Sequence, residues 1–226
     1  MGLDSTSARR QLIDDFNQLY YDGPEGRHLY ETTTWLGVPT QKCPLDLWMY
    51  QEILYETRPD VVIECGVYCG GSTLYLATML DLLGAGQVVS VDITLGAVHQ
   101  KVRQHPRVQL LEGNSIDPAI VADMAGRCRS QRTMVILDSD HAESHVLAEL
   151  DAYGPLVAPG CYLVVEDTNI NGHPVLPDFG PGPHEAVRRF LTTSPGWTVD
   201  RHRERLLVTF NPSGYLRREA AGEPRA

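Results

Sequence analysis

No apolar run in the 226-residue chain approaches the roughly 20 residues that cross a bilayer, so no membrane span is expected. The N-terminal stretch carries Asp4, Arg9, Arg10, Asp14 and Asp15 and lacks the apolar core of a signal peptide. A soluble, cytoplasmic protein is expected. Basic charge is also short: 19 Lys and Arg against 29 Asp and Glu give a net charge of −10. The dense basic runs, Arg201-His202-Arg203 with Arg205 and then Arg217-Arg218, sit near the C-terminus and make no broad basic face, which argues against a nucleic-acid partner. The five cysteines are few and odd in number. Cys65 and Cys69 flank a glycine turn with no second close pair, so neither a zinc site nor a disulfide framework is indicated. Internal repeats and low-complexity segments are absent.

A hydrophobic content of 42% is enough for a core, and the length suits one domain with an N-terminal extension. Leu12, Ile13, Phe16, Leu19 and Tyr20 give residues 5–21 a helical spacing. Residues 22–44 are irregular. Residues 45–57 are helical again and stop before Pro59. Strands then alternate with helices. The strands are expected near 61–65, 87–92, 107–112, 133–138 and 160–166, and the helices near 71–83, 95–104, 115–126 and 142–153. Such alternation implies an α/β fold with a parallel sheet and helices on both faces. A loop rich in Gly, Pro and Asn covers 167–183, followed by a helix at 184–193. Trp197–Val199 and Leu206–Phe210 are expected to close the sheet as an antiparallel pair. The boundaries read as an extension over 1–58, the main domain over 59–212 and a flexible tail over 213–226.

The first strand runs into Glu64-Cys-Gly66-Val-Tyr68-Cys-Gly70-Gly71-Ser72, a tight glycine turn that lets the backbone approach a nucleoside closely. The second strand ends in Asp92, placed to accept ribose hydroxyls. Ligands of open α/β sheets bind outside the carboxyl ends of the strands, where Glu64, Asp92, Asp138, Glu166 and Asp167 all fall. Asp138, Glu166 and Asp167 would repel one another without a cation, and an all-oxygen set suits Mg²⁺. Helix capping is the plain alternative for Asp138. His141, three residues on, is placed as a general base. His145 is expected to be a packed helix residue. His141-Ala-Glu-Ser-His145 puts its Glu at the wrong position for a zinc-protease motif. Ser115, after the third strand, either touches an adenine edge or caps the next helix. Asp140 either joins the metal or caps.

The glycine turn resembles the cofactor loop of the catechol O-methyltransferase family. Asp138-Ser-Asp-His141-x3-His145, Tyr153-x-Pro155 and Tyr162-Leu-Val-Val-Glu166-Asp167-Thr168 resemble the bacterial cephalosporin hydroxylase family, which includes rhamnosyl and macrolide-sugar O-methyltransferases. The segments Trp35-Leu-Gly37 and Asp46-Leu-Trp-x-Tyr50-Gln-Glu add to that likeness. It implies a Rossmann-like class I methyltransferase fold, with a mostly parallel seven-stranded sheet whose last strand is antiparallel. It implies S-adenosylmethionine and Mg²⁺ as cofactors. Glu64, Gly66, Tyr68, Gly70, Ser72, Asp92, Ser115 and Asp138 would bind the first. Asp138, Glu166 and Asp167 would hold the second. His141 would be the catalytic base. The activity implied is methyl transfer to a hydroxyl of a small acceptor, a sugar or a phenolic or polyhydroxylated natural product, in secondary-metabolite biosynthesis such as that of antibiotics.

Two other readings compete. A NAD-dependent oxidoreductase needs a second glycine where Tyr68 stands. A non-catalytic S-adenosylmethionine-binding partner in a tailoring complex would not need the acids and His141. Metal-dependent hydrolysis fits less well, because it gives Asp92 no role. The acceptor pocket is expected from 22–44 and 168–183, where Asn169, Asn171, His173, Pro174 and Asp178 offer polar contacts. A lid that merely excludes water is the alternative. The amphipathic first helix needs a surface to cover it, so a homo-oligomer is expected.

Overall fold

The structure, a computed structural model, describes residues 6–23 and 27–220. Helix α1 (Thr6–Asp22) leads into a small hairpin of β1 (Thr34–Trp35) and β2 (Val38–Pro39), then helix α2 (Pro44–Thr57). The alternating part follows as β3 (Val61–Cys65), α3 (Gly71–Leu83), β4 (Gln87–Asp92), α4 (Gln100–Arg103), β5 (Val108–Glu112), α5 (Pro118–Arg127), β6 (Thr133–Leu137), α6 (Glu143–Tyr153) and β7 (Tyr162–Val165). Helix α7 (Pro183–Thr193), β8 (Trp197–Val199) and β9 (Tyr215–Arg218) complete it.

The main sheet has seven strands in the order β5-β4-β3-β6-β7-β9-β8. The pairs from β5 to β7 are parallel, and β9 runs antiparallel to both its neighbours. The α/β class, the parallel sheet and the antiparallel last strand stand as expected. Alternate strand residues feed two cores. Ile63, Val135 and Leu163 face Leu150, Val187 and Phe190 of α6 and α7. Val62, Met134, Ile136 and Val164 face Tyr50, Ile53 and Leu54 of α2 and Leu76 and Leu80 of α3. Burial on both faces is why these strands read as unbroken apolar runs. No helix among the described residues is long and apolar enough to cross a membrane.

Four expectations need correcting. Leu206–Phe210 is not a strand. Leu207 has φ 74°, a left-handed turn, and the segment beyond it is tied down by Asp46, which accepts from Thr209 Oγ1 at 2.5 Å and from the Phe210 N–H at 2.8 Å. The closing strand is β9, so the chain beyond 212 is no flexible tail up to Arg218: Tyr215 and Leu216 are fully buried in the sheet. The boundary at 58/59 does not hold either, because α2 shares one core with β3, β6 and β7. The helix expected at 95–104 shortens to Gln100–Arg103, with His99 Nδ1 accepting the Lys101 N–H.

Candidate active site at the carboxyl edge of the sheet

A cavity of about 650 Å³ opens at the carboxyl ends of β3, β4 and β6. Its floor is the turn between β3 and α3. Gly66 has φ 96°, and a Cβ there would lie 1.9 Å from the Asp138 carbonyl oxygen, so only glycine lets the β3 turn lie against the end of β6. Tyr68 adopts φ 49° and is 56% exposed, an unusual backbone for a tyrosine that leaves its ring facing the cavity. Asp92 Oδ2 accepts the N–H groups of Val67 at 2.7 Å and Tyr68 at 3.0 Å, while Oδ1 accepts only Thr94 N–H at 3.2 Å. Asp92 thus shapes the turn and keeps acceptor capacity toward the cavity. Ser115 also lines it, with Oγ 3.1 Å from His145 Nε2. His145 is held in turn by Glu149, whose carboxylate raises the imidazole pKa.

Two expected cofactor residues lie elsewhere. Glu64 is fully buried beneath the turn, where it accepts from Ser72 Oγ at 2.6 Å, Thr73 Oγ1 at 2.5 Å and Ser90 Oγ at 2.8 Å. Its carboxylate braces the start of α3 against β4 and does not line the cavity. Gly70, with φ 85°, is the N-cap of α3 and packs against Val102; it too is set back from the cavity. Gly66, Tyr68, Ser72, Asp92, Ser115 and Asp138 do line it.

The acids at the other end of the cavity divide in two. Asp138, His141 and Asp167 bring one potential ligand atom each to within 4.8 Å of one another. His141 Nε2 is 3.2 Å from Asp167 Oδ2, and Asp167 reaches there through a left-handed backbone, φ 54°. Glu166 points beneath this group. It is 2% exposed, and its Oε1 accepts a hydrogen bond from the Tyr50 hydroxyl and lies 2.9 Å from Lys42 Nζ. The triad of Asp138, Glu166 and Asp167 is therefore split, with His141 in Glu166's place at the cavity. Asp140 caps the turn to α6 by accepting the Ala142 N–H at 2.8 Å and stays out of the cluster.

Lys42 escapes a reading of the sequence. Its side chain is 4% exposed, and Nζ lies 2.5 Å from Asp138 Oδ2. It comes from the loop between β2 and α2. Gly71 admits that loop, since a Cβ there would meet the Pro39 carbonyl oxygen at 2.2 Å. Burial works against the ammonium, but Asp138, Glu166 and Asp167 hold its pKa above the usual lysine value. Burial pushes Asp138 and Asp167 above the usual carboxylate range, with Lys42 and His141 opposing. Three carboxylates against one lysine leave a surplus of negative charge in a partly buried place. A divalent hard cation fits that surplus and that donor set. One cue to Lys42 was available: only two of the 19 Lys and Arg residues are lysines, Lys42 and Lys101.

A ring wall closes the acidic end. Tyr21, Tyr30 and Phe210 line it, with Tyr21–Tyr30 centroids 4.9 Å apart and Tyr21–Phe210 5.4 Å. The expected polar contacts from 168–183 do not build it. Asn169 is fully buried and His173 bonds to Glu185 at 2.9 Å.

Residues 27–219 match the family model described as Rhamnosyl O-methyltransferase/CmcI. A rhamnosyl O-methyltransferase of Mycobacterium tuberculosis (strain H37Rv) is 41% identical over 211 residues, covering 91% of this chain and 84% of that protein. The Mycobacterium leprae protein of the same name is 40% identical over 214 residues, 92% and 91% of the two chains. The solved structure "cmcI-D160 Mg-SAM" superposes with a TM-score of 0.66 at 22% identity, over 87% of this chain and 80% of that one, and agrees in fold. The chain belongs to the rhamnosyl O-methyltransferase/CmcI family, and so to the S-adenosylmethionine-dependent O-methyltransferases of Rossmann-like fold.

Proposed function

We propose that this enzyme moves the methyl group of S-adenosylmethionine to a hydroxyl of a sugar carried on a small natural product, with Mg²⁺ at its acidic end. One observation carries the reading. A single cavity is lined by the Gly66–Tyr68 turn, Asp92, Asp138, His141 and Asp167, with Asp92 at the end of β4 and Asp167 after β7 toward opposite sides of the sheet edge. A nucleoside and an acceptor hydroxyl bound there would meet in the middle. The names of the mycobacterial relatives support a rhamnosyl-type acceptor, and the Tyr21, Tyr30 and Phe210 wall suits the apolar face of a sugar ring.

Asp92 and Ser115 fix the nucleoside, and Tyr68 covers it. Asp138 and Asp167 would hold the cation, with Glu166 beneath them, and its charge would lower the pKa of a nearby acceptor hydroxyl. His141 takes the hydroxyl proton while Asp167 orients its ring, as the 3.2 Å contact indicates. The acceptor oxygen forms its bond to the methyl carbon as the carbon–sulfur bond breaks, and S-adenosylhomocysteine leaves. Alignment of the two reactants supplies much of the rate.

His141→Ala is expected to lower turnover of a sugar acceptor by about 10²–10⁴-fold. Affinity for S-adenosylmethionine, read by calorimetry, should stay within a few-fold of the unmodified protein's. Unchanged turnover would remove His141 as the base. Failure of the unmodified protein to bind S-adenosylmethionine at all would remove the whole reading.

A further inference from the structure

Lys42 neither lines the cavity nor reaches its mouth, so it is not placed to touch either reactant. Yet it is buried and bridges acids from two strand ends, Asp138 after β6 and Glu166 after β7, at 2.5 and 2.9 Å. A buried ammonium in that place has a large electrostatic consequence. Asp138, Glu166 and Asp167 together carry three negative charges when ionised, and one lysine reduces the excess to two. We propose that Lys42 is a fixed internal counter-cation, a positioning residue that holds the acid cluster assembled without metal and trims its charge to that of a divalent ion. The metal half of this inference rests on the function proposed above.

Lysine suits the task better than arginine. Its compact ammonium can sit between two carboxylate oxygens and leave their remaining lone pairs free, whereas a guanidinium would claim a carboxylate with two parallel bonds. The chain otherwise favours arginine heavily, yet uses lysine here. The residue is also set by the fold. Pro39 and Thr40 pack over Gly71 at the start of α3, so the same glycine turn that shapes the nucleoside end admits the loop that carries Lys42. Tyr50 of α2 shares Glu166 Oε1 with it, so two side chains from the N-terminal region prepare one acid of the cluster.

Lys42→Met keeps an unbranched side chain only one atom shorter and removes the charge. Three uncompensated acids then remain, and the metal-free protein should melt several degrees lower than the unmodified one. Mg²⁺ affinity measured by calorimetry should tighten by about tenfold or more, because a cation within about 4–6 Å no longer opposes the ion. Tb³⁺ affinity, read by luminescence, should tighten further still than that of Mg²⁺. The double variant Lys42→Met/Glu166→Gln removes one charge of each sign. It should recover most of the metal-free melting temperature and return Mg²⁺ affinity toward its starting value, and it carries the test if the single variant is not recovered folded. A Lys42→Met protein with unchanged metal-free melting and unchanged Mg²⁺ and Tb³⁺ affinities overturns the proposal, as does a double variant less stable than both single ones. If no variant and not the unmodified protein binds Mg²⁺, the metal reading of the site falls, while the metal-free melting still decides whether Lys42 is the counter-cation.

Discussion

Two groups of acids stand on the same edge of the sheet and are held in different ways. Glu64, in β3, is surrounded by the hydroxyls of Ser72, Thr73 and Ser90, all within 2.8 Å. Asp138, Glu166 and Asp167, after β6 and β7, are held by the charge of Lys42 and the ring of His141. Hydroxyls give an acid close neutral partners: burial raises the Glu64 pKa, and the three bonds and then the Lys42 charge oppose it. A single lysine shared among three acids cannot neutralise them all. The first arrangement locks a turn in place. The second leaves charge in want of a ligand, and it is the second that faces the cavity.

Removing one acid from each group should separate the two roles. Asp138→Asn is expected to give the largest effect, a fall in turnover of about 10³-fold or more, since a charged group at the reacting centre is lost. Its melting temperature should change little, because Lys42 keeps Glu166 as a partner. A variant that lost stability instead of turnover would make Asp138 a structural acid like Glu64. Glu64→Ala should reverse the pattern, costing about 3–5 kcal/mol of stability by chemical denaturation as three buried hydroxyls lose their acceptor. Whatever fraction stays folded should keep an intact acid cluster and bind Mg²⁺ normally. If that variant were as stable as the unmodified protein but unable to bind S-adenosylmethionine, Glu64 would belong to the cofactor site after all.

The sequence makes the positions of these acids legible but only half their directions. Strand alternation was available as a guide. Val62, Ile136 and Val164 face the α2–α3 layer, so Glu64, Asp138 and Glu166, each two residues on, continue toward the same side. That side is where Ser72, Thr73, Tyr50 and Lys42 wait. Asp138, at the margin of that side, also lines the cavity, and Asp167, one residue out of step, turns to it as well. Lys42 could not be found this way, since a loop brings it 96 residues along the chain to Asp138. The strands were readable because burial on both faces writes apolar runs. The same rule misled at Leu206–Phe210, where the apolar residues serve the ring cluster and the Asp46 anchor while the true last strand, Tyr215–Arg218, is half arginine.

Asp46 offers the finest test of the contrast, because it mixes both modes. It is fully buried and accepts from Thr209 Oγ1, Phe210 N–H and Tyr215 OH, as Glu64 accepts from hydroxyls. It also lies near the charged group, and burial first, then the Glu166 charge, outweigh those three bonds to push its pKa up to about 7 from 3.8. An acid whose folded pKa is raised binds its proton more readily in the native state than in the unfolded one. Its contribution is therefore fully present below the ordinary carboxylate value and is lost as pH rises toward about 7. Between pH 5 and pH 7 this one group should lower stability by no more than about 2–3 kcal/mol. Asp46→Asn, titrated by urea unfolding at several pH values, should flatten that slope. A slope unchanged by the substitution would mean that the three hydrogen bonds win and that Asp46 stays ionised in the manner of a fully satisfied acid. Asp46 would then be electrostatically independent of Glu166 despite their shared burial.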